Sequence, residues 1–218
     1  MTRRPIAIYG AGGFGREVAW LLDVCSASGW DAQLHCFIDD STATQGTYVH
    51  GTPVLSLADA AKQFPGAFVV AGIGAPRIRQ ALIERAVQAG FQPLTVVHPG
   101  VEQSTHVVIG EGTLICAGNI LTTDIVLGAQ VQINLACTIG HDVQLGDYTT
   151  LAPGVHVSGC VVTGKRVYIG TGAVIVNGTS EQPIIIEDDA VIGAGACVTK
   201  SVPANLTVVG VPARPLVK

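Results

Sequence analysis

His141 and Asp142 put an imidazole and a carboxylate side by side, directly after the pair Ile139-Gly140. A carboxylate in that position can accept a hydrogen bond from one ring nitrogen and fix the tautomer. The other ring nitrogen is then free to take a proton from a reacting group, which is what a general base needs. A second stretch with chemical potential is Gly10-Ala11-Gly12-Gly13-Phe14-Gly15, a G-x-G-x-x-G pattern set between an apolar run and a helical pattern. Backbone N–H groups at the start of such a helix can hold a phosphate with no side chain in the way. Asp39 and Asp40 close the second apolar run, where a carboxylate can accept hydrogen bonds from a sugar hydroxyl or a nucleobase N–H.

Two different grammars position these residues. Over residues 1–95, short apolar runs alternate with helical patterns: strands at Pro5–Tyr9, Leu34–Ile38, Phe68–Gly72 and Leu94–Val97, helices at Arg16–Val24, Leu57–Phe64 and Arg77–Ala89. That alternation predicts a Rossmann-like α/β domain with a parallel sheet. Four strands supply only one mononucleotide half, so a nucleotide with a single pyrophosphate fits better than NAD.

Over residues 96–218 the period changes. Aliphatic residues recur every six positions at Ile109, Ile115, Leu121, Leu127, Ile133, Ile139, Leu145, Leu151, Val157, Ile169 and Ile175, with Thr163 as the one lapse. A six-residue period with one inward aliphatic and a tight turn predicts a parallel β-helix in which three hexads close one coil. His141 then sits at a corner of the coil and not inside it. The phase breaks after Ile175, so Asn177 to Pro183 is expected to leave the coil before Ile186, Ile192 and Val198 resume it.

Composition narrows the function. Of 218 residues, 48% are apolar and 13% charged, with a net charge of −4, which argues against a disordered chain and against a nucleic-acid binder. Glycines and polar residues interrupt every apolar run before it reaches the length of a membrane span. The arginines before Pro5 superficially resemble the start of a signal peptide, but the apolar stretch breaks at Gly10, so a soluble, cytoplasmic protein is expected. Cys25, Cys36, Cys116, Cys137, Cys160 and Cys197 have no C-x-x-C spacing and are expected to be reduced and mostly buried. Flat coil faces with few charges predict a homotrimer.

The glycine loop, Phe37-Ile38-Asp39-Asp40, Ala71-Gly72-Ile73-Gly74, the hexads, Ile133-Asn134, Ile139-Gly140-His141-Asp142, Val157-Ser158-Gly159 and the terminal Gly210-Val211-Pro212-Ala213-Arg214 together cover nearly the whole chain. With these pieces the chain resembles the hexapeptide acyltransferases, in the branch that joins a nucleotide-sugar-binding α/β domain to a left-handed β-helix. It is similar to the acetyltransferases of bacillosamine-type sugar pathways and to the sialic acid O-acetyltransferase group. The resemblance implies that His141 is the general base and Asp142 its orienting partner, and that Asn134 holds the acceptor. It implies that Gly10, Gly12, Gly13, Phe14, Gly15, Asp39, Asp40, Gly72 and Gly74 bind the nucleotide sugar. Gly159, Gly193, Ala194, Gly195, Pro212 and Arg214 would bind acetyl-CoA, in a site shared between subunits.

The activity so implied is acetyl-CoA-dependent N-acetylation of a UDP- or dTDP-linked amino sugar by direct transfer. The alternatives are O-acetylation of a sialic acid or polysaccharide hydroxyl, and a non-catalytic nucleotide-sugar sensor or scaffold that would not need His141. One hexapeptide branch holds zinc on three histidines, two of them close in sequence; His98, His106, His141 and His156 contain no such pair, and no metal is expected. Three departures from the family bear on the acceptor. Phe14 replaces a loop histidine, Ala75-Pro76 a pair of asparagines, and Thr150 a second histidine nine residues past the base.

Overall fold

The computed structural model describes residues 4–30 and 32–216, so Met1–Arg3, where the leader-like stretch begins, lie outside the described residues. Two compact units form, Met1–Pro99 and Gly100–Lys218, the division falling at Pro99 where residue 95 was expected.

The first unit is built on β1 (Arg4–Tyr9), α1 (Gly13–Ala27), β2 (Ala32–Ile38), β3 (Tyr48–Val49), β4 (Thr52–Leu55), α2 (Leu57–Gln63), β5 (Phe68–Ala71), α3 (Pro76–Gln88) and β6 (Gln92–Pro93). The sheet order is β3-β4-β2-β1-β5-β6. Central β1 is apolar on both faces, with Ile6, Ala7, Ile8 and Tyr9 all buried, as a parallel strand covered by helices on both sides must be. Helix α1 turns Val18, Ala19, Leu21, Leu22 and Cys25 inward. Helix α3 opens on Pro76, whose missing N–H costs nothing at a first helical position. Two expectations are corrected. The hairpin β3-β4, closed by His50 and Gly51 at φ 48° and 80°, enlarges the sheet to six strands. The last sheet strand is Gln92–Pro93, paired with Phe68–Val69, and not Leu94–Val97.

The second unit is a parallel β-helix. Strands stack with a repeat of eighteen residues, as in Leu121 on Ile139 on Val157 on Ile175, or Ile133 on Leu151 on Ile169. The ladder Ile115, Leu121, Leu127, Ile133, Ile139, Leu145, Leu151, Val157, Ile169 and Ile175 is buried throughout and forms the core. Thr163, the lapse in the hexads, is buried in the same ladder, where its hydroxyl accepts the Gly146 N–H at 3.0 Å and lies 3.2 Å from the Thr149 hydroxyl. The slot is polar because a backbone donor needs it. Beyond Ile175 the register lengthens: Thr163 pairs with Ile186, twenty-three positions on. The extra residues form the expected loop, whose base is tied by the Gly178 N–H to the Gly159 carbonyl at 3.0 Å and the Ile184 N–H to the Cys160 carbonyl at 3.1 Å. Among the described residues no helix is long and apolar enough to cross a membrane.

Candidate active site

The β-helix brings His141 to a corner between stacked coils. Gly140 ends the strand with its N–H on the Val157 carbonyl at 2.8 Å, and a Cβ there would come within 2.7 Å of the Gly159 nitrogen. Only glycine lets the two coils close at this corner. Asp142 then turns the chain at φ 58°, a left-handed conformation that Asp adopts more readily than most residues. This short path brings its carboxylate back to the imidazole, with His141 Nδ1 2.7 Å from Asp142 Oδ2.

Gly159, one coil further along, supplies the space for the ring. A Cβ built on it would lie 2.5 Å from both Cε1 and Nε2 of His141. The imidazole therefore occupies the volume that any side chain at 159 would fill. Nδ1 is taken by Asp142, which leaves Nε2 as the nitrogen available for proton transfer. Both side chains are about 60% exposed (His141 61%, Asp142 60%), so the pair is open to solvent. The loop that leaves the coil after Asn177 flanks this corner through its contacts to Gly159 and Cys160.

In the α/β unit the glycines divide into two groups. Gly10 sits at φ 108° with its Cβ direction filled by the Gly72 carbonyl and Ile73, a Cβ on Gly15 would collide with the Gly10 carbonyl, and one on Gly72 would lie 2.6 Å from the Gly15 Cα. These three let α1 pack onto the strand ends. Gly12 and Gly74 have nothing within 4 Å of a built Cβ, and Gly13 only the guanidinium of Arg16 at 3.9 Å, so the space beside them is open. Gly12 is the N-cap of α1 and has no capping side chain, which leaves the first-turn N–H groups facing that opening. Phe14 is partly buried.

The two aspartates are engaged within the protein. Asp39 accepts the Ala11 N–H at 3.2 Å and the Ser41 N–H at 2.9 Å, and so fastens the glycine loop. Asp40 receives Arg85 at 2.6 and 3.2 Å and the Tyr9 hydroxyl at 3.0 Å. Arg85 beside Asp40 holds that carboxyl below the usual range, while burial, followed by the hydrogen bond to Asp40, pushes the Tyr9 phenol up to about 12. Expected to be open acceptors for a ligand, both carboxylates instead tie β2 to its neighbours. Arg79 on α3, missed at the sequence level, is fully buried and donates to the Ile73 and Gly74 carbonyls at 3.1 Å each, which holds the loop after β5 in place.

Asn134 departs from expectation. It is 7% exposed, and its amide nitrogen donates to the Leu151 carbonyl at 2.9 Å, inside the coil. Its own carbonyl accepts from the buried Asn119 at 2.8 Å. Asn134 therefore braces the coil. Thr150 is likewise buried.

Among the acetyl-CoA candidates, Gly193 is hydrogen-bonded to the Val208 carbonyl at 2.8 Å, Ala194 lies against Gly170, and Gly195 turns the corner at φ 66°. Pro212 follows a cis peptide bond. Arg214 lies on a cavity of about 420 Å³ at the end of the coil, lined also by Lys200, Ser201, Pro203 and Leu206. The pairing of Lys200 with Arg214 was not visible in the sequence. A cavity of about 550 Å³ bordered by Arg16, Trp20, Asp23 and His50 includes none of the other candidate residues. An open glycine-lined surface binds through backbone groups and needs no deep cleft.

A β-helix with a carboxylate-oriented corner histidine, joined in one chain to a glycine-loop α/β unit, defines the class of hexapeptide acyltransferases. Residues 5–86 match the PglD N-terminal domain. The GDP-perosamine N-acetyltransferase of Escherichia coli O157:H7 is 39% identical over 210 residues, covering 95% of this chain and 94% of that protein. A variant of the perosamine N-acetyltransferase from Caulobacter crescentus, solved in complex with CoA and GDP-perosamine, superposes with a TM-score of 0.87 at 28% identity, over 98% of this chain and 97% of that one. The acetyltransferase domain of PglB from Neisseria gonorrhoeae, in complex with acetyl coenzyme A, gives 0.85 at 32% identity, over 98% of this chain and all (100%) of that one. The chain belongs to the sugar N-acyltransferase family of the hexapeptide type. It is an acyl-CoA-dependent acetyltransferase.

Because a side chain at Gly12 meets no protein atom, Gly12→Val should fold normally and raise the apparent KM for a nucleotide sugar by about tenfold, with that for acetyl-CoA unchanged. Steady-state kinetics with each substrate varied in turn make the test. An unchanged KM for the sugar nucleotide would remove Gly12 from the binding surface.

Proposed function

We propose that the protein acetylates the amine of a nucleotide-linked amino sugar, with acetyl-CoA as donor and His141 as general base. The observation that carries the reading is the geometry of His141: Nδ1 on Asp142 at 2.7 Å, Nε2 in the space left by Gly159, and the ring open to solvent. The sugar amine attacks the thioester carbonyl. An N–C bond forms, Nε2 takes the proton released by the amine, and the C–S bond breaks to release CoA. Asp142 stabilises the imidazolium, and no covalent enzyme intermediate is required.

The glycine loop of the α/β unit binds the nucleotide at the open surface beside Gly12 and Gly13. Lys200 and Arg214 at the end of the coil offer cationic partners to the phosphates of CoA. Two relatives named for perosamine acetylation favour an amine over a hydroxyl, and make GDP, ahead of the UDP or dTDP expected from sequence, the first nucleotide to test.

The test is CoA release from acetyl-CoA with GDP-, UDP- and dTDP-linked amino sugars and free sialic acid, on the wild type and on His141→Ala. Turnover is expected with one class of nucleotide amino sugar and should fall by roughly 10²–10⁴-fold in the variant. Reaction with sialic acid alone, or near-normal turnover of His141→Ala, would contradict the reading.

We further propose a homotrimer. One face of the coil carries the outward row Val108, Val126, Gln144, Val162 and Ile185, apolar but for Gln144, with Val108, Val126 and Ile185 at 60%, 45% and 43% exposure, which a partner subunit would cover. Light scattering should report three copies per particle; a fully active monomer would overturn this.

A further inference from the structure

The corner that seats His141 also carries a thiol. Cys160 lies one coil from Asp142 and shares its left-handed backbone, φ 56° against 58°. Its N–H bonds the His141 carbonyl at 3.0 Å. One donor atom each from His141, Asp142 and Cys160 lies within 4.8 Å of the other two. Among the described residues, Cys25, Cys36, Cys116 and Cys137 are buried and only Cys160 and Cys197 are part-exposed. Burial pushes the thiols of Cys36 and Cys137 up to about 12 and about 11, which makes them poor metal ligands near neutral pH.

We propose that His141, Asp142 and Cys160 form an inhibitory site for a borderline-soft divalent cation of the Zn²⁺ type. The donor set is imidazole nitrogen, carboxylate oxygen and thiolate sulfur, which suits zinc and not Mg²⁺ or Ca²⁺. It is distinct from the three-histidine arrangement that the histidine spacing argues against. Tetrahedral zinc holds its ligands about 3.5 Å apart, so the three side chains must readjust: the 2.7 Å hydrogen bond between His141 and Asp142 gives way, and donor atoms that lie up to 4.8 Å apart draw together. His141 and Asp142 are exposed enough to do so. Binding exchanges the Cys160 thiol proton for the metal and takes an imidazole nitrogen and the Asp142 carboxylate as ligands, so the oriented His141–Asp142 pair can no longer accept a proton as it does when free. The inhibitory arm therefore rests on His141 being the base; the binding arm does not.

Cobalt(II) serves as the spectroscopic probe and zinc as the inhibitor, on the intact wild type, Cys160→Ser and His141→Ala. Cobalt should bind at one equivalent per chain with a thiolate-to-metal charge-transfer band that is absent from both variants. Zinc should inhibit the wild type reversibly, with EDTA restoring turnover and excess Mg²⁺ having no effect. Cys160→Ser should keep its turnover and need at least tenfold more zinc for the same inhibition. Absence of the band, or a band that survives in Cys160→Ser, would overturn the site. A band with no loss of turnover would support the metal site and count against His141 as the base.

Discussion

The vertical contact between coils, repeated at eighteen residues, decides what each corner of the β-helix can do. At most corners that contact is filled by a side chain or by tightly apposed backbone. At Gly159 the volume is left to the imidazole of His141, and the backbone around it is closed by Gly140. The imidazole is therefore positioned by missing atoms as much as by a bond. Its single strong partner, Asp142, belongs to the same turn, so the pair moves with a backbone that is hydrogen-bonded to the coils on either side. A rigid, repetitive scaffold can thus hold an exposed imidazole in one orientation without burying it.

The stability of that scaffold comes from the aliphatic ladder, and the polar positions inside it follow from unmet backbone groups. Thr163 takes an aliphatic slot because the Gly146 N–H needs an acceptor. Asn119 donates to the Cys116 and Asn134 carbonyls at 2.7 and 2.8 Å and accepts the Cys137 N–H at 2.8 Å, which satisfies a turn no strand pairing reaches. Leaving such a group unpaired costs about 1–3 kcal/mol, so these polar residues are part of the core. The α/β unit works by the same economy. Gly10, Gly15 and Gly72 serve packing, and the space beside Gly12, Gly13 and Gly74 is left open.

Much of this was legible in the sequence, because a hexad period has a single structural meaning and because a glycine loop between strand and helix has few. The inward ladder, the loop after Asn177 and the pairing of His141 with Asp142 all follow from position alone. What was not legible is orientation: position in the pattern says where a residue lies but not which way its side chain turns. Asn134, next to Ile133 at a corner, points inward and braces the coil. Asp39 and Asp40 stand at the expected strand end, yet their carboxylates meet Ala11, Ser41, Arg85 and Tyr9. The β3-β4 hairpin escaped because its strands are only two and four residues long and its turn is His-Gly, where Asn-Gly is the strong signal. The seat of His141 on Gly159 and its closeness to Cys160 could have been read by adding one coil repeat to 141 and 142.

The central claim, that the space over Gly159 holds His141 in its working position, is tested most directly by a double-mutant cycle between Gly159→Ala and His141→Ala. The methyl group of Gly159→Ala should displace the ring and lower kcat by about tenfold or more, with the protein still folded and the KM for the sugar nucleotide unchanged. In the His141→Ala background the same methyl group has no ring to displace and should cost almost nothing further, so the two effects will not add. Full additivity, or a Gly159→Ala enzyme with wild-type kcat, would contradict the account.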